Sequence, residues 1–114
     1  MAALTSTVPV VTGTTTTGAA VSASDTVDAS ILGQRGAYFE VINAGGSSDT
    51  VTIKDFSFTD AGNQLPSQQY TVSVANGTSK VIHLKPFQVD PTTGLITITH
   101  SFTTSVTYKL YPVQ

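Results

Sequence analysis

The chain has 114 residues, enough for one domain with a single hydrophobic core. Only 11% of its residues are charged and its formal net charge is -2, so it offers no basic field to a nucleic-acid backbone. The absence of Cys excludes disulfides and thiolate metal sites.

The N-terminus carries neither the basic nor the apolar region of a secretion signal. No apolar run in the sequence approaches the ~20 residues that span a bilayer. We therefore expect a soluble protein that is made in the cytoplasm of a cell and has neither a membrane nor a nucleic acid as a partner.

Residues 1–18 form a low-complexity segment that cannot build a core of its own. The segment contains the run Val-Pro-Val-Val from Val8 onward, followed by a stretch rich in Thr. Two interpretations are open. One is an edge strand, where the missing N–H of Pro9 is tolerated, and the other is an extended arm that orders against a partner.

The next segment predicts a short strand over residues 19–27, with a turn at Ser24-Asp25. One helical turn is then expected, with Asp28 as its N-cap and Gly33 as its end. This helix is too short to contribute much to the fold.

Residues 36–58 predict two strands around a loop rich in Gly and Ser, which is the pattern of a β-hairpin. The apolar alternation of the first strand is blurred, which favours a central strand covered on both faces. In the second strand Val51 and Ile53 are in phase, whereas the phenylalanines that follow are in the opposite phase. A bulge near residues 54–55 reconciles the two phases, because one extra residue switches the faces.

The rest of the chain continues the same pattern of short strands and turns. Residues 60–66 predict a loop from their turn chemistry alone. Residues 70–74 alternate apolar and polar side chains, and Asn76-Gly77 predicts a hairpin to the next strand over residues 78–85. Two further strands are predicted over residues 95–100 and 106–111.

Roughly seven or eight short strands, with turns about every ten residues, predict an all-β fold. We expect a single-domain antiparallel β-sandwich of the jelly-roll or Ig-like type over residues 19–114. Residues 1–18 precede it as the N-terminal arm or edge strand.

Both histidines, His83 and His100, lie on predicted strands. A Ser–His–Asp site needs a buried, oriented third member, and nothing in the sequence marks one. The favoured interpretation is that both are partly exposed strand residues, with pH sensing at an interface as the alternative.

Acidic residues and glycines also need a chemical interpretation. Asp49, Asp55 and Asp60 gather around one end of the predicted hairpin, and Asn63 adds another oxygen near a glycine. Calcium takes about six to eight oxygen ligands, the EF-hand pattern is absent, and turn formation explains these residues without a metal.

The Gly-Gly-Ser-Ser loop at residues 45–48 lacks the Lys-Ser/Thr and the helix of a phosphate-binding loop. We expect no catalytic residue, no metal and no cofactor, and therefore no enzyme.

A family resemblance is carried by residues 35–53, which read RGAYFEVINAGGSSDTVTI. Together with the Thr-rich start at residues 1–20 and the Val-Thr-Tyr-Lys-Leu segment at residues 106–110, this stretch resembles small virion proteins of tailed bacteriophages, often encoded beside the major capsid protein. In that family a strand ending in Asn, a Gly-Gly-Ser loop and a Val-Thr-Ile strand recur after such a start. The match covers about half of the chain, and the loop over residues 60–69 is longer than in the simplest members.

The resemblance implies a head decoration, or cement, protein: a β-sandwich that bridges capsid subunits on the outer surface of the virion. It implies the major capsid protein as the partner and a trimer or other small homo-oligomer, and it transfers no catalytic residues. We expect the N-terminal arm to dock by adding a strand to an exposed edge of the capsid or of a neighbouring subunit. The expected contact residues are Thr5, Val8, Pro9, Val10, Val11 and Thr12.

An alternative from another class is a carbohydrate- or receptor-binding module of a phage tail or fibre. It predicts an exposed aromatic patch, with Tyr70 or Tyr111 near Asp60 and Asn63, and soluble monomers that bind glycans.

Overall fold

The structure, a computed structural model, describes residues 2–14, 18–55, 59–60, 63–64, 69–90 and 93–113. Its strands are β1 (Ala2–Ala3), β2 (Ala19–Ala20), β3 (Ser24–Asp28), β4 (Ala37–Asn43), β5 (Asp49–Lys54), β6 (Thr59–Asp60), β7 (Asn63–Gln64), β8 (Gln69–Val74), β9 (Thr78–Leu84), β10 (Leu95–His100) and β11 (Val106–Pro112). These residues also form one helical turn, α1 (Ala29–Leu32), and a 3-10 turn at Pro86–Gln88.

The strands form two sheets that pack face to face. The first sheet has the order β1-β3-β10-β5-β8, the second has the order β2-β11-β4-β9, and β6 and β7 form a separate two-stranded ladder. The described pairs are antiparallel except for β1 with β3, which is parallel. The predicted single-domain antiparallel β-sandwich is confirmed.

The strand pairing is nested. β5 pairs with β8, the strands outside them pair as β4 with β9, and the next pair outward is β3 with β10. Successive pairs lie in opposite sheets, as they do when a long hairpin is rolled into two layers. An immunoglobulin constant domain instead places its first two strands side by side in one sheet. The pairing is therefore jelly-roll-like rather than Ig-like, with β11 added beside β4.

The core lies between the two inner faces. In β4, Phe39 and Val41 are fully buried, whereas Tyr38 is 45% exposed. β4 is central in the second sheet, as predicted, but the prediction that both of its faces are covered is wrong. The largest fully buried side chains include Phe39, Leu32, Ile53, Leu84, Ile96, Ile98 and Leu110. Each contributes about 1.5 to 3 kcal/mol of burial free energy before the entropy of ordering is subtracted.

The hairpin predicted over residues 36–58 is wrong, because β4 lies in the second sheet and β5 in the first. The chain changes sheets at a corner held by Asn43. Its Nδ2 donates hydrogen bonds to the carbonyl oxygens of Ser47 at 2.7 Å and Val74 at 3.0 Å. Its Oδ1 accepts a hydrogen bond from Gly45 N at 3.0 Å. The Gly-rich segment therefore joins two layers instead of two neighbouring strands.

The turn at Asn76-Gly77 forms, but the hairpin predicted around it is wrong. Thr78 N donates to the carbonyl oxygen of Ala75 at 3.1 Å, and Gly77 has a φ of 77°. β8 nevertheless pairs with β5 and β9 with β4, so this turn also crosses between the sheets. Gly77 N donates to the carbonyl oxygen of Asn43 at 2.7 Å, which ties the two crossings together.

Residues 28–33 form the predicted helical turn. The Asp28 side chain accepts a hydrogen bond from Ser30 N at 2.9 Å, and Gly33 is the C-cap. The turn predicted at Ser24-Asp25 is wrong, because both residues begin β3.

The strand predictions for the second half of the chain are confirmed. The ends of β8 to β11 fall within about one residue of the predicted ends. The bulge near residues 54–55 depends on the phenylalanines that follow, which lie outside the described residues. The loop predicted over residues 60–66 is described only at β6 and β7.

The N-terminal segment over residues 2–7 closes one side of the sandwich. β1 pairs with β3, and Leu4 is buried. Thr5 N then donates to the Tyr108 hydroxyl at 3.0 Å, and Thr7 N donates to the carbonyl oxygen of Leu110 at 2.8 Å. The segment therefore passes from the first sheet to the second and covers one edge of each.

Candidate functional site

We define the N-terminal loop as residues 8–14, which follow the segment anchored on β11. The loop contains a tight turn, in which Gly13 N donates to the carbonyl oxygen of Val10 at 2.9 Å. Val10 N donates to Thr14 Oγ1 at 3.0 Å. The turn needs glycine because Gly13 has a φ of 97°, which other residues rarely adopt. Its hydrogen bonds fix the shape of the loop from within.

Three valines of the N-terminal loop project from the body of the protein. Their exposed fractions are 48% for Val8, 58% for Val10 and 105% for Val11. The predicted contact residues Pro9 and Thr12 are exposed beside them. No charged side chain precedes residue 25 in the sequence. The loop therefore presents a small apolar surface without charge.

Thr5 stands apart from the other predicted contact residues. Its backbone N–H donates to Tyr108, and its Oγ1 lies 3.5 Å from the same hydroxyl. Thr5 is therefore an anchor of the N-terminal segment, whereas the other predicted contact residues lie together in the N-terminal loop. After the N-terminal loop, Ala20 pairs with Thr107 on β11. The chain therefore attaches to β11 both before the loop, through Thr7, and after it.

The outer face of the second sheet carries an aromatic row. Tyr111 on β11 pairs with Tyr38 on β4, which pairs with His83 on β9. The ring centroids of Tyr38 and His83 are 5.1 Å apart, and His83 Nε2 lies 3.0 Å from the carbonyl oxygen of Arg35. His83 is exposed on its strand, which confirms the prediction for this histidine. The neighbouring row consists of Lys109, Glu40 and Val81.

A shallow cavity of about 330 Å³ lies at one end of this face, between the two crossings. Its lining consists of Ile42, Asn43, Ala44, Gly77, Thr78 and Ser79. None of these residues carries a titratable side chain, so the cavity offers shape and backbone polarity but no acid–base chemistry.

His100 lies between two carboxylates beneath the loops at one end of the sandwich. Its Nδ1 is 2.6 Å from Asp49 Oδ2, and its Nε2 is 3.8 Å from Asp25 Oδ2. Asp49 Oδ1 also accepts hydrogen bonds from the backbone N–H groups of Ser101 at 3.0 Å and Phe102 at 3.2 Å. His100 is buried, so the prediction that it is partly exposed is wrong.

This cluster is not arranged for nucleophilic catalysis. The nearby hydroxyl belongs to Ser22, whose Oγ is hydrogen-bonded to Asp25 Oδ1 and to the carbonyl oxygen of Ser24 at 2.9 Å. A nucleophilic hydroxyl must be hydrogen-bonded to the imidazole that takes its proton. Here the Ser22 hydroxyl is bonded to the Asp25 carboxylate instead. The side chains of His100 and Asp25 are also 0% and 1% exposed, which closes the cluster to a substrate. The cluster is a structural network.

The alternation of inward and outward side chains along a strand is the sequence signal that identifies this cluster. Asp25, Asp49 and His100 each lie two residues from a core residue of the same strand, so all three point inward. Buried polar side chains need partners, which predicts that they pair with one another. The prediction of two exposed histidines missed this signal.

A second buried network lies at the other end of β5. Asp55 Oδ2 accepts a hydrogen bond from Gln88 Nε2 at 3.0 Å, and Gln88 Oε1 accepts one from Lys85 N at 2.9 Å. Burial raises the pKa of the nearby Tyr70 above its ordinary value of 10.0. Asp49 and Asp55 therefore belong to separate networks, and their predicted grouping around one end of a hairpin is wrong.

The side chains of Asp60 and Asn63 lie outside what the structure describes. Within the part it does describe, no three His, Cys, Asp or Glu side chains are arranged to hold a metal ion. Among the same described residues, no helix is long and apolar enough to cross a membrane.

Comparison of the chain with protein-family models, with curated proteins and with solved structures found no match in any of the three.

Proposed function

We propose that the protein is a structural virion protein that decorates and stabilises the outer surface of a phage capsid by bridging capsid subunits. Its partners are the major capsid protein and further copies of itself, in a trimer or other small homo-oligomer. The observation that supports the proposal best is the N-terminal loop, whose exposed valines project from an anchored segment. The resemblance of residues 35–53 to phage virion proteins supports it independently.

The valines supply the driving force for docking. Complete burial of a Val side chain contributes about 1.5 to 3 kcal/mol. The exposed fractions of Val8, Val10 and Val11 together amount to roughly two whole side chains, which gives roughly 3 to 6 kcal/mol per loop before the cost of association. Many copies on one shell act together, so a modest contact suffices for stabilisation.

The hydrogen bonds of the loop bear on how it docks. Addition of a strand to an edge needs free backbone groups on the incoming segment. In the loop, Val10 N and the Val10 carbonyl oxygen are already bonded to Thr14 and Gly13. Strand addition therefore requires the turn to open. Insertion of the valine side chains into an apolar joint between capsid subunits keeps the turn intact, and this is the docking mode we propose.

A binding assay on phage heads stripped of this protein tests the proposal. The test variant replaces Val8, Val10 and Val11 by Ser, and the matched control is Val81→Ser, which removes a valine that is 61% exposed on β9. We expect the triple variant to bind at least about tenfold more weakly, since tenfold corresponds to only about 1.4 kcal/mol, and the control to bind as the wild type does. Equal binding of the triple variant and the wild type would contradict the proposal. Light scattering after size exclusion measures the oligomer separately.

The aromatic row favours a second candidate, a carbohydrate-binding module of a phage tail or fibre. Tyr38 is 45% exposed between Tyr111 and His83, and such rings stack against the apolar faces of sugars. The predicted alternative placed Tyr70 or Tyr111 in this role. Tyr111 lies in the aromatic row, whereas Tyr70 packs against the core from the first sheet.

Tyr38→Ala separates the two candidates because it leaves the N-terminal loop unchanged. A carbohydrate-binding module loses its affinity for oligosaccharides in this variant, as measured by titration against a glycan panel. A decoration protein with Tyr38→Ala still occupies stripped heads at the level of the wild type.

A further inference from the structure

β8 lies at the end of the first sheet, so one of its sides has no neighbouring strand among the described residues. The free N–H and C=O groups of such an edge are a template for another strand, and proteins usually block them. The edge strands β1 and β2 are each only two residues long. On β9, the exposed Lys80 lies on the same side of the strand as the buried Ile82 and Leu84, and a charge in this position opposes pairing. These three edges are therefore protected.

β8 carries none of these protecting features. The strand reads Gln-Tyr-Thr-Val-Ser-Val, without a charge, a Pro or a Gly. Gln69, Thr71 and Ser73 are exposed on its outer side, and Tyr70 and Val72 are half-buried on its inner side, where they pack against the core. Aromatic and β-branched residues without charge favour strand pairing. The edge of β8 is therefore open to a further strand.

The hydrogen bonds of β5 show which backbone groups of β8 point outward. Successive residues of an antiparallel strand direct their N–H and C=O groups to opposite sides. Ser101 N donates to the carbonyl oxygen of Thr50 at 3.2 Å, which continues the register of β10 with β5. Thr50 therefore bonds toward β10, and the odd-numbered residues of β5 bond toward their even-numbered partners in β8. The backbone groups of Gln69, Thr71 and Ser73 consequently point away from β5.

We propose that β8 pairs antiparallel with β8 of a second copy of this chain, across a two-fold axis at Thr71. In this register the outward backbone groups of Thr71 meet those of Thr71 in the second copy, and Gln69 meets Ser73 on either side of the axis. Every outward backbone group of the strand then has a partner. On the inner side Tyr70 packs beside Val72 of the second copy, a pair of aromatic and β-branched side chains that stabilises sheets. No like charges face each other along the two strands.

The two-fold symmetry also limits the size of the assembly. A two-fold contact uses the same surface on both copies, so the open edge of each copy is occupied. The joined sheet then ends at β1 of each copy, which is a protected edge. Contact between two different edges would instead allow continued growth into a filament. The expected assembly is therefore a closed dimer.

This inference rests on the self-association in the proposed function and supplies the surface for it. β8 and β1 lie at opposite ends of the first sheet, and the N-terminal segment begins at β1. The dimer is tested on the purified chain without phage heads, whereas the valines of the N-terminal loop are tested on stripped heads. A chain that stays monomeric but still binds heads through those valines would overturn the dimer alone.

Sedimentation equilibrium at protein concentrations from about 1 μM to about 1 mM measures the dimer. For the wild type we expect the mean mass to rise with concentration from the 11.8 kDa of one chain toward twice that value. Thr71→Pro removes an outward N–H, and with it the hydrogen bonds that the central pair exchanges, but it leaves the bonds of β8 to β5 in place. We expect its dissociation constant to be at least about tenfold higher. Thr71→Val, the matched control, keeps this N–H and should dimerise as the wild type does.

Amide hydrogen exchange of the wild type covers the case in which Thr71→Pro does not fold. The N–H groups of Thr71 and Ser73 point toward water in the monomer, so their exchange should slow as the protein concentration rises. The N–H of Val72 points toward β5 and is the internal reference, with exchange that does not follow dimerisation. A monomer at every concentration, a mass that passes two chains, a dissociation constant that Thr71→Pro leaves unchanged, or exchange at Thr71 that is independent of concentration overturns the proposal.

Discussion

Replacement of Asp49 by Ala measures how far the stability of the sandwich depends on its buried network. The carboxylate is fully buried and lies 2.6 Å from His100 Nδ1. It accepts hydrogen bonds from Ser101 N at 3.0 Å and Phe102 N at 3.2 Å. The variant leaves these backbone donors without their acceptor and the buried His100 ring without its closer partner. Hydrogen bonds to charged groups contribute about 1.5 to 3 kcal/mol each, and the carboxylate accepts two of them from the loop.

We therefore expect Asp49→Ala to lower the free energy of unfolding by about 3 to 5 kcal/mol, a large part of the roughly 5 to 15 kcal/mol typical of a domain. The melting temperature should fall by roughly 10 to 20 °C at this chain length. Circular dichroism during urea unfolding is the suitable assay, since the chain has no Trp. Asp49→Asn, which keeps an oxygen for the loop donors, should lose about half as much. A loss below about 1 kcal/mol for Asp49→Ala, the average effect of a point mutation, would refute the reasoning.

Three further substitutions have expected outcomes. Gly36→Ala should lower the free energy of unfolding by roughly 2 kcal/mol or more, because Gly36 has a φ of 87° and a Cβ would lie 2.0 Å from the Leu84 carbonyl oxygen. The control in the same urea assay is Gly46→Ala, since the space around a Cβ at Gly46 is open. The hydrogen bond from Ser30 N lowers the pKa of Asp28 below 3.8. The stabilisation by the ionised Asp28 side chain is therefore present above that pH and is lost as pH falls. Asp28→Asn caps the helix equally well, but its thermal melts at decreasing pH should lack this acid dependence. Burial raises the pKa of Tyr70 above 10.0. The folded state therefore favours the neutral phenol, and stability is lost as pH rises above that value. Tyr70→Phe should lose less stability at alkaline pH than the wild type does.

The strands and their ends were predictable where apolar and polar side chains alternate within one short segment of the sequence. β10 alternates threonines with isoleucines, and its ends fall where the alternation stops. The sheet that each strand joins was not predictable in this way. Gly-Gly-Ser and Asn-Gly specify a tight change of direction, but the hydrogen bonds that turn these segments into crossings are non-local. They run from Asn43 Nδ2 to the carbonyl oxygen of Val74 and from Gly77 N to the carbonyl oxygen of Asn43.

The buried cluster shows how a general preference outweighed a local signal. Aspartates are mostly exposed and histidines are intermediate in burial, and that preference favoured a partly exposed His100. Parity within β10 placed it inside, with Ile96 and Ile98. Burial is tolerated because Asp25 and Asp49 reach the same point from strands that are distant in sequence. Asp49 and His100 are 51 positions apart in the chain. A single strand contains no information on that meeting.

The N-terminal loop keeps its exposed valines apart from the contacts that stabilise the fold. Its position depends on β11, through Tyr108, which receives the hydrogen bond of Thr5 N, and Leu110, which receives that of Thr7 N. The hydrogen bonds of the loop itself join its own residues to one another. Substitutions among the exposed valines therefore change the surface without removing a contact of the core. Under the proposed function, such a protein can adapt to a different capsid joint by changing residues 8–12 alone, while the nested sandwich and its buried networks stay the same.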